Sequence, residues 1–170
     1  MSESTDVGGD WEDLARTASV RHGGEDDGGA LMLRELLSFE LAGSPYAIPV
    51  ERVREIVRVR ELTHVPRVPD WVRGIVTLRG EVVQVIDLRM RLGLRADDTN
   101  RRSRIIVLHG DDDRVTGVLV DSVREVLRVE EESFSPSMDS ELGAVAELCL
   151  RDEEFVSVID VDRVLDLRAD

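Results

Sequence analysis

The stretch VREIVRV, residues 53–59, is written a second time as VREVLRV, residues 123–129. Five of the seven positions are identical, and the other two exchange one aliphatic residue for another. Val and Ile are branched at Cβ and favour the pleated strand, so each copy reads as a strand. The echo extends outward. VIDLRMRLGL at 85–94 returns as VIDVDRVLDL at 158–167, shifted by 73 residues where the first pair is shifted by 70. LRG at 78–80 falls opposite LRD at 150–152, one residue out of phase. The pattern is an internal duplication of a β-unit of roughly 70 residues. Two copies predict two barrel-like lobes side by side, each closing over its own aliphatic interior. The first spans about 34–100 and the second about 101–170, with little helix. A groove between lobes is where binding sites tend to lie.

Turn chemistry punctuates the rest. RELLSFELAGSPYAIPVERVREIVRV reads as a strand, a Gly-Ser-Pro turn and two further strands. Pro66 and Pro69 make LTHVPRVPDWV an extended loop. GIVTLRGEVVQVIDL is two strands about a tight turn at Arg79-Gly80, and RADDTNR is a polar linker. The second half repeats the theme through RSRIIVLHGDDDRVTGVLVDSVREVLRV, a Ser-rich loop and the closing CLRDEEFVSVIDVDRVLDL.

Apolar residues make up 42% of the chain and aromatics only 4%, so the core is aliphatic. A formal net charge of −14 opposes nucleic acid, whose phosphates demand Lys and Arg, and opposes insertion at anionic membrane surfaces. All 22 basic residues are Arg. Residues 1–30 are rich in Gly, Asp, Glu and Ser and read as a disordered acidic tail. Within it DWEDLARTASV places Trp11, Leu14, Ala15 and Ala18 at helical spacing. The single Cys149 fits a reducing compartment and a buried small hydrophobe. With no apolar run of 18 residues and no signal peptide, the expectation is a cytoplasmic protein.

No catalytic constellation stands out. His22, His64 and His109 are scattered, and no spacing suits zinc. HGDDDR at 109–114 lacks the alternating ligands of a calcium loop. Glycine-rich phosphate loops and the GxSxG elbow are absent. Asp87 and Asp160 occupy the same slot in the two copies, which favours a structural role at a strand end. The reading is therefore no enzyme, no metal and no cofactor. What remains is a β protein whose VRVRELTHVPRVPDWVRGIVTLRG suggests a protein-binding surface.

VPDWVRGIVTLRGEVVQVIDLRMRLGL (68–94) resembles the signature of the CheW family of chemotaxis coupling proteins. PYAIPVERVREIVRV and VTGVLVDSVREVLRV extend the likeness over residues 34–167. The resemblance implies two SH3-like five-stranded β-barrels and a non-enzymatic adaptor. Such an adaptor couples chemoreceptor cytoplasmic tips to the regulatory domain of a CheA-type histidine kinase, at membrane-associated receptor arrays. Carried over by motif, Arg79 matches the receptor-binding Arg. Val53 and Glu55 match groove residues of the first lobe, Val123 and Val126 the facing strand of the second, and Gly74 the Gly before the apolar strand. On this reading the two VRE strands wall one groove. No kinase-binding residue is assigned. The sequence departs from the family pattern at Thr77, where Asn is usual, and at Gln84, where Pro is usual. Three readings stay open: the adaptor, a coupling protein of a non-flagellar pathway or competitor of a paralogue, and a small β-barrel ligand-binding domain.

Overall fold

The structure is a computed structural model and describes residues 32–110, 113–138 and 143–166. The expected acidic tail and its Trp11 segment lie outside the described residues. Eleven strands form two sheets. In chain order they are β1 (Leu33–Leu41), β2 (Ser44–Pro49), β3 (Val53–Arg58), β4 (Val72–Leu78), β5 (Glu81–Asp87), β6 (Arg104–His109), β7 (Val115–Val120), β8 (Ser122–Glu130), β9 (Phe134–Pro136), β10 (Val145–Arg151) and β11 (Glu154–Ile159). Two short helices follow the repeated VID motifs: α1 (Leu88–Arg91) and α2 (Val161–Leu165). Asp87 and Asp160 cap them, each carboxylate accepting a backbone N–H three residues on, from Met90 and Arg163. Their equivalence is structural, as the repeat suggested.

One sheet has the order β3-β6-β7-β5-β4 and the other β8-β1-β2-β11-β10-β9. The duplication is visible in this order: β3 corresponds to β8, β6 and β7 to β1 and β2, and β5 and β4 to β11 and β10. Even the parallel registers agree, with Gln84 beside Thr116 where Ser157 stands beside Tyr46. The lobes, however, do not divide near residue 100. The chain from β3 to β7 makes one complete lobe, inserted between β2 and β8 of the other. The folded unit is thus out of phase with the duplicated unit by one hairpin. Each repeat's leading hairpin completes the sheet of its sister. Periodicity records which side chains face inward and not which strand lies alongside, so the sequence pattern alone missed the exchange. The flanking lobe also counts six strands rather than five, because Phe134–Pro136 pairs onto β10.

Side chains alternate between three cores. Val76, Leu78, Val83, Val85, Ile105, Val107 and Leu119 fill the inserted lobe. Leu36, Ala47, Leu127, Val129, Cys149, Val156 and Val158 fill the flanking one. Burial pushes the Cys149 thiol up, so it behaves as a packed hydrophobe. The third core lies between the sheets and draws on both, including Leu37, Phe39, Val53, Ile56, Ile86, Ile106 and Ile159. Strand β6 shows the division plainly: Ile105 and Val107 face the lobe interior, Ile106 and Leu108 the shared core.

Three tight hairpins carry positive φ at both turn residues: Ala42-Gly43, Arg79-Gly80 and Asp152-Glu153. The first sits one residue earlier than the expected Gly-Ser-Pro turn, leaving Ser44 and Pro45 in β2. The third, Asp152-Glu153, is the counterpart of Arg79-Gly80. The position equivalent to Arg79 is therefore Asp152, with the opposite charge. The LRG and LRD resemblance, one residue out of phase, does not mark equivalent turn residues.

The crossing from β7 to β8 is the single residue Asp121. Its carboxylate accepts from the Arg89 guanidinium through both oxygens and from the Ala42 N–H. Burial alone would raise this carboxyl, yet the hydrogen bonds from Arg89 and Ala42 hold it below the usual carboxylate range. A folded-state value below the unfolded one means the unfolded chain binds the extra proton. The contribution is complete above the unfolded value of about 3.9 and is lost as pH falls through the folded one. Urea midpoints of wild type and Asp121→Asn should therefore differ most near pH 6, about two units above that unfolded value, and converge as the medium becomes strongly acidic. A gap that widened in acid would contradict the assignment.

Candidate functional site

The two VRE strands are the edge strands of their sheets, and both reach the shared core. Val53 is buried in it, while Val123 and Val126 lie half-buried against it. Each strand bulges at the same place, next to its Arg: between Val53 and Glu55 on β3, and opposite Leu37 to Phe39 on β8. At the second bulge the Ser38 hydroxyl donates to the Glu125 carbonyl at 2.9 Å and accepts from the Glu125 N–H at 3.2 Å. The extra residue shifts side-chain parity, so Val53 and Ile56, three positions apart, both meet the shared core, as do Val123 and Val126.

The Arg79-Gly80 turn comes back to the first of these strands. Arg79 Nη2 lies 3.4 Å from Glu55 Oε1, and Arg54 Nη1 lies 2.9 Å from Glu81 Oε1. These crossed pairs close the inserted barrel between β3 and the β4–β5 turn. The flanking lobe repeats one of them, Arg124 with Glu154 at 4.0 Å. The Glu55–Arg79 pair is lopsided. The Arg79 side chain is 76% exposed and the Glu55 side chain 12% exposed. So open an Arg contributes little to stability. What it offers is a guanidinium standing in solvent, with a nearly buried carboxylate at its base.

Gly74 sits elsewhere. It is buried under the 59–71 loop, which pairs with β4 through two hydrogen bonds of 2.9 Å between Thr63 and Ile75. A Cβ on Gly74 would stand 2.5 Å from the Thr63 carbonyl oxygen, at φ +147. Its visible role is to let that loop lie on the strand. Of the six residues that the motif singles out, Arg79 is open, Val123 and Val126 are half-open, Glu55 is nearly covered, and Val53 and Gly74 are interior.

The sequence reading missed a second surface. On the β10–β11 hairpin, Leu150 and Phe155 face each other across the strands, 50% and 62% exposed. Their counterparts on β4–β5 are Thr77 and Val82, also exposed. These two exposed hydrophobics lie side by side rather than scattered. The signal was present: Phe155 breaks the apolar-inward alternation of EFVSVI.

Among the described residues, no three His, Cys, Asp or Glu side chains come together as a metal site, and no helix is long and apolar enough to cross a membrane.

The CheW-like domain profile matches residues 35–169. The chain belongs to the CheW-like family. It is 33% identical over 136 residues to the chemotaxis protein CheW of Bacillus subtilis, covering 78% of this chain and 86% of that one. It is 35% identical over 106 residues to the chemotaxis protein CheW of Rhizobium meliloti, covering 62% and 68%. The crystal structure of the scaffolding protein TtCheW from Thermoanaerobacter tengcongensis superposes with a TM-score of 0.75 at 27% identity, covering 82% of this chain and 97% of that one. The two-lobed β fold is the CheW fold. The chain is a chemotaxis scaffold and coupling protein and not an enzyme.

Proposed function

We propose that this CheW-like chain couples the helical hairpin tip of a chemoreceptor to the regulatory domain of a CheA-type histidine kinase, in the cytoplasm beside the receptor array. The observation that carries the receptor half is the seam between the lobes. There the edge strands β3 and β8 meet one apolar core, and Arg79 rises exposed over Glu55. A helix in a groove needs apolar anchors and a polar rim. Val123 and Val126 supply anchors, and Arg79 supplies a charge-assisted donor. Val53 and Gly74 act from beneath, by setting the strand and loop that shape the seam. The kinase half rests on the exposed Leu150–Phe155 pair, an apolar contact suited to an apolar partner surface.

The experiment uses purified receptor cytoplasmic fragment, kinase and this protein. Arg79→Glu should weaken binding to the receptor fragment about tenfold, equivalent to about 1.4 kcal/mol. Arg79→Gln, which adds no like charge beside the nearly buried Glu55, should keep thermal stability within about 0.5 kcal/mol, since the Arg79 side chain is exposed. Kinase binding should be unchanged. Phe155→Asp should do the reverse: it should remove most kinase retention on a pull-down and leave receptor affinity intact. Loss of both partners in either single variant would mean that one surface serves both. No retention of either partner by wild type would end the coupling reading.

A further inference from the structure

We propose that the acidic N-terminal segment of this chain, residues 1–31, docks on an arginine cluster at one end of the inserted lobe. The cluster flanks the Arg58–Arg104 pair, where the stretch VRVR (57–60) ends β3 and RRSR (101–104) opens β6. Strands β3 and β6 run antiparallel, with Arg58 directly opposite Arg104. The two stretches carry five Arg and no acidic residue. Arg58, Arg60, Arg101 and Arg102 are exposed, and their guanidinium groups meet no acidic side chain among the described residues. Arg104 is half-buried and donates to the Arg101 and Ser103 carbonyls, at 2.7 and 2.8 Å.

Like charges directly opposite on neighbouring strands are destabilising. Several arginines elsewhere have an acidic partner: Arg34 with Glu147, Arg52 with Asp162, Arg54 with Glu81, Arg73 with Asp87 and Arg89 with Asp121. This cluster stands out against a chain whose net charge is −14. An external polyanion would meet that net negative charge on approach.

For a tethered anion the same repulsion is offset by proximity. Residues 1–31 hold eight acidic residues against two arginines, a formal charge of −6. Attachment to the domain gives such a segment an effective concentration in the millimolar range. Reach is not limiting. Thirty-one residues span up to about 100 Å when extended, and a domain of this size is about 40 Å across. The docked segment would cover the far end of the strand that carries Glu55, roughly 10 Å along β3. The inference concerns the chain alone and holds whether or not a receptor tip uses that seam.

The test uses the full chain. Ser19→Cys places a nitroxide in the segment, while buried Cys149 resists labelling. Amide signals of 57–60 and 101–104 should lose at least half their intensity at about 0.01 M salt and recover near 1 M, as the screening length shrinks from about 30 to about 3 Å. The quadruple variant Arg58→Glu, Arg60→Glu, Arg101→Glu, Arg102→Glu should abolish the broadening, with the remaining spectrum showing that the fold is intact. Broadening centred on another surface, or none at low salt, would overturn the proposal. So would broadening that appears only when spin-labelled chains are mixed with separate isotope-labelled chains, since that assigns the cluster to a second copy's segment.

Discussion

Gly74→Ala should destabilise the protein by about 3 kcal/mol or more, and Gly74→Val should prevent the loop from docking at all. Two independent costs combine. The backbone at φ +147 lies where only Gly rests without strain, an expense of about 1–3 kcal/mol for other residues. In addition, the new Cβ would meet the Thr63 carbonyl oxygen, which is backbone and cannot rotate away. That oxygen accepts from Ile75 N, so relief means breaking the Thr63–Ile75 bridge. Chemical denaturation gives the size of the loss. Amide exchange at Thr63 and Ile75 gives the place, and unchanged protection there would show that the contact does not constrain the loop. Because the 59–71 loop leads from β3 to β4, some loss of partner binding should accompany the change without any contact between Gly74 and a partner.

Arg91→Met should cost about 2–4 kcal/mol, from the loss of hydrogen bonds given by a charged donor, which contribute about 1.5–3 kcal/mol each. Arg91 is buried on α1, in the first repeat. Its guanidinium donates to the carbonyls of Arg163, Val164 and Asp166 at the end of α2, in the second repeat, at 3.0–3.1 Å. It also stands 4.5 Å from the centre of the Trp71 ring. Met fills similar volume and keeps the ring contact, yet leaves α2 carbonyls without their donor, at about 1–3 kcal/mol for each buried group. A guanidinium, unlike Met, also favours the negative end of a helix. The same substitution at exposed Arg60 should be nearly silent. If the two variants melted alike, the Arg91 network would be dispensable.

Much of this fold was legible in the residues. Strands follow from Val and Ile at alternate positions, the Arg79-Gly80 turn from its glycine, and the duplication from VREIVRV and VREVLRV. Asp87 and Asp160 were readable as structural because they recur. The sequence could not show that β1 and β2 join the second repeat's strands, since an inward-facing Leu36 packs equally well beside either neighbour. Nor could alternation alone put both Val53 and Ile56, or both Val123 and Val126, on the shared core, because a bulge at the intervening Arg resets parity on both strands. Gly74 carried a motif match but not its cause, which is the Thr63 carbonyl eleven residues away. Arg79 was the position best foreseen, as a glycine-paired turn arginine left in water.

The exchange of hairpins has a mechanical consequence. The lobes are joined by two covalent crossings, the short turn Val50–Arg52 and the single residue Asp121, and their facing sides share one apolar layer. Neither crossing is long enough to serve as a swivel. A push on the barrel that carries Arg79 is therefore delivered to the barrel that carries Phe155 as displacement of the whole body, with little taken up in between. The molecule is built as a strut, and what arrives at one end leaves at the other.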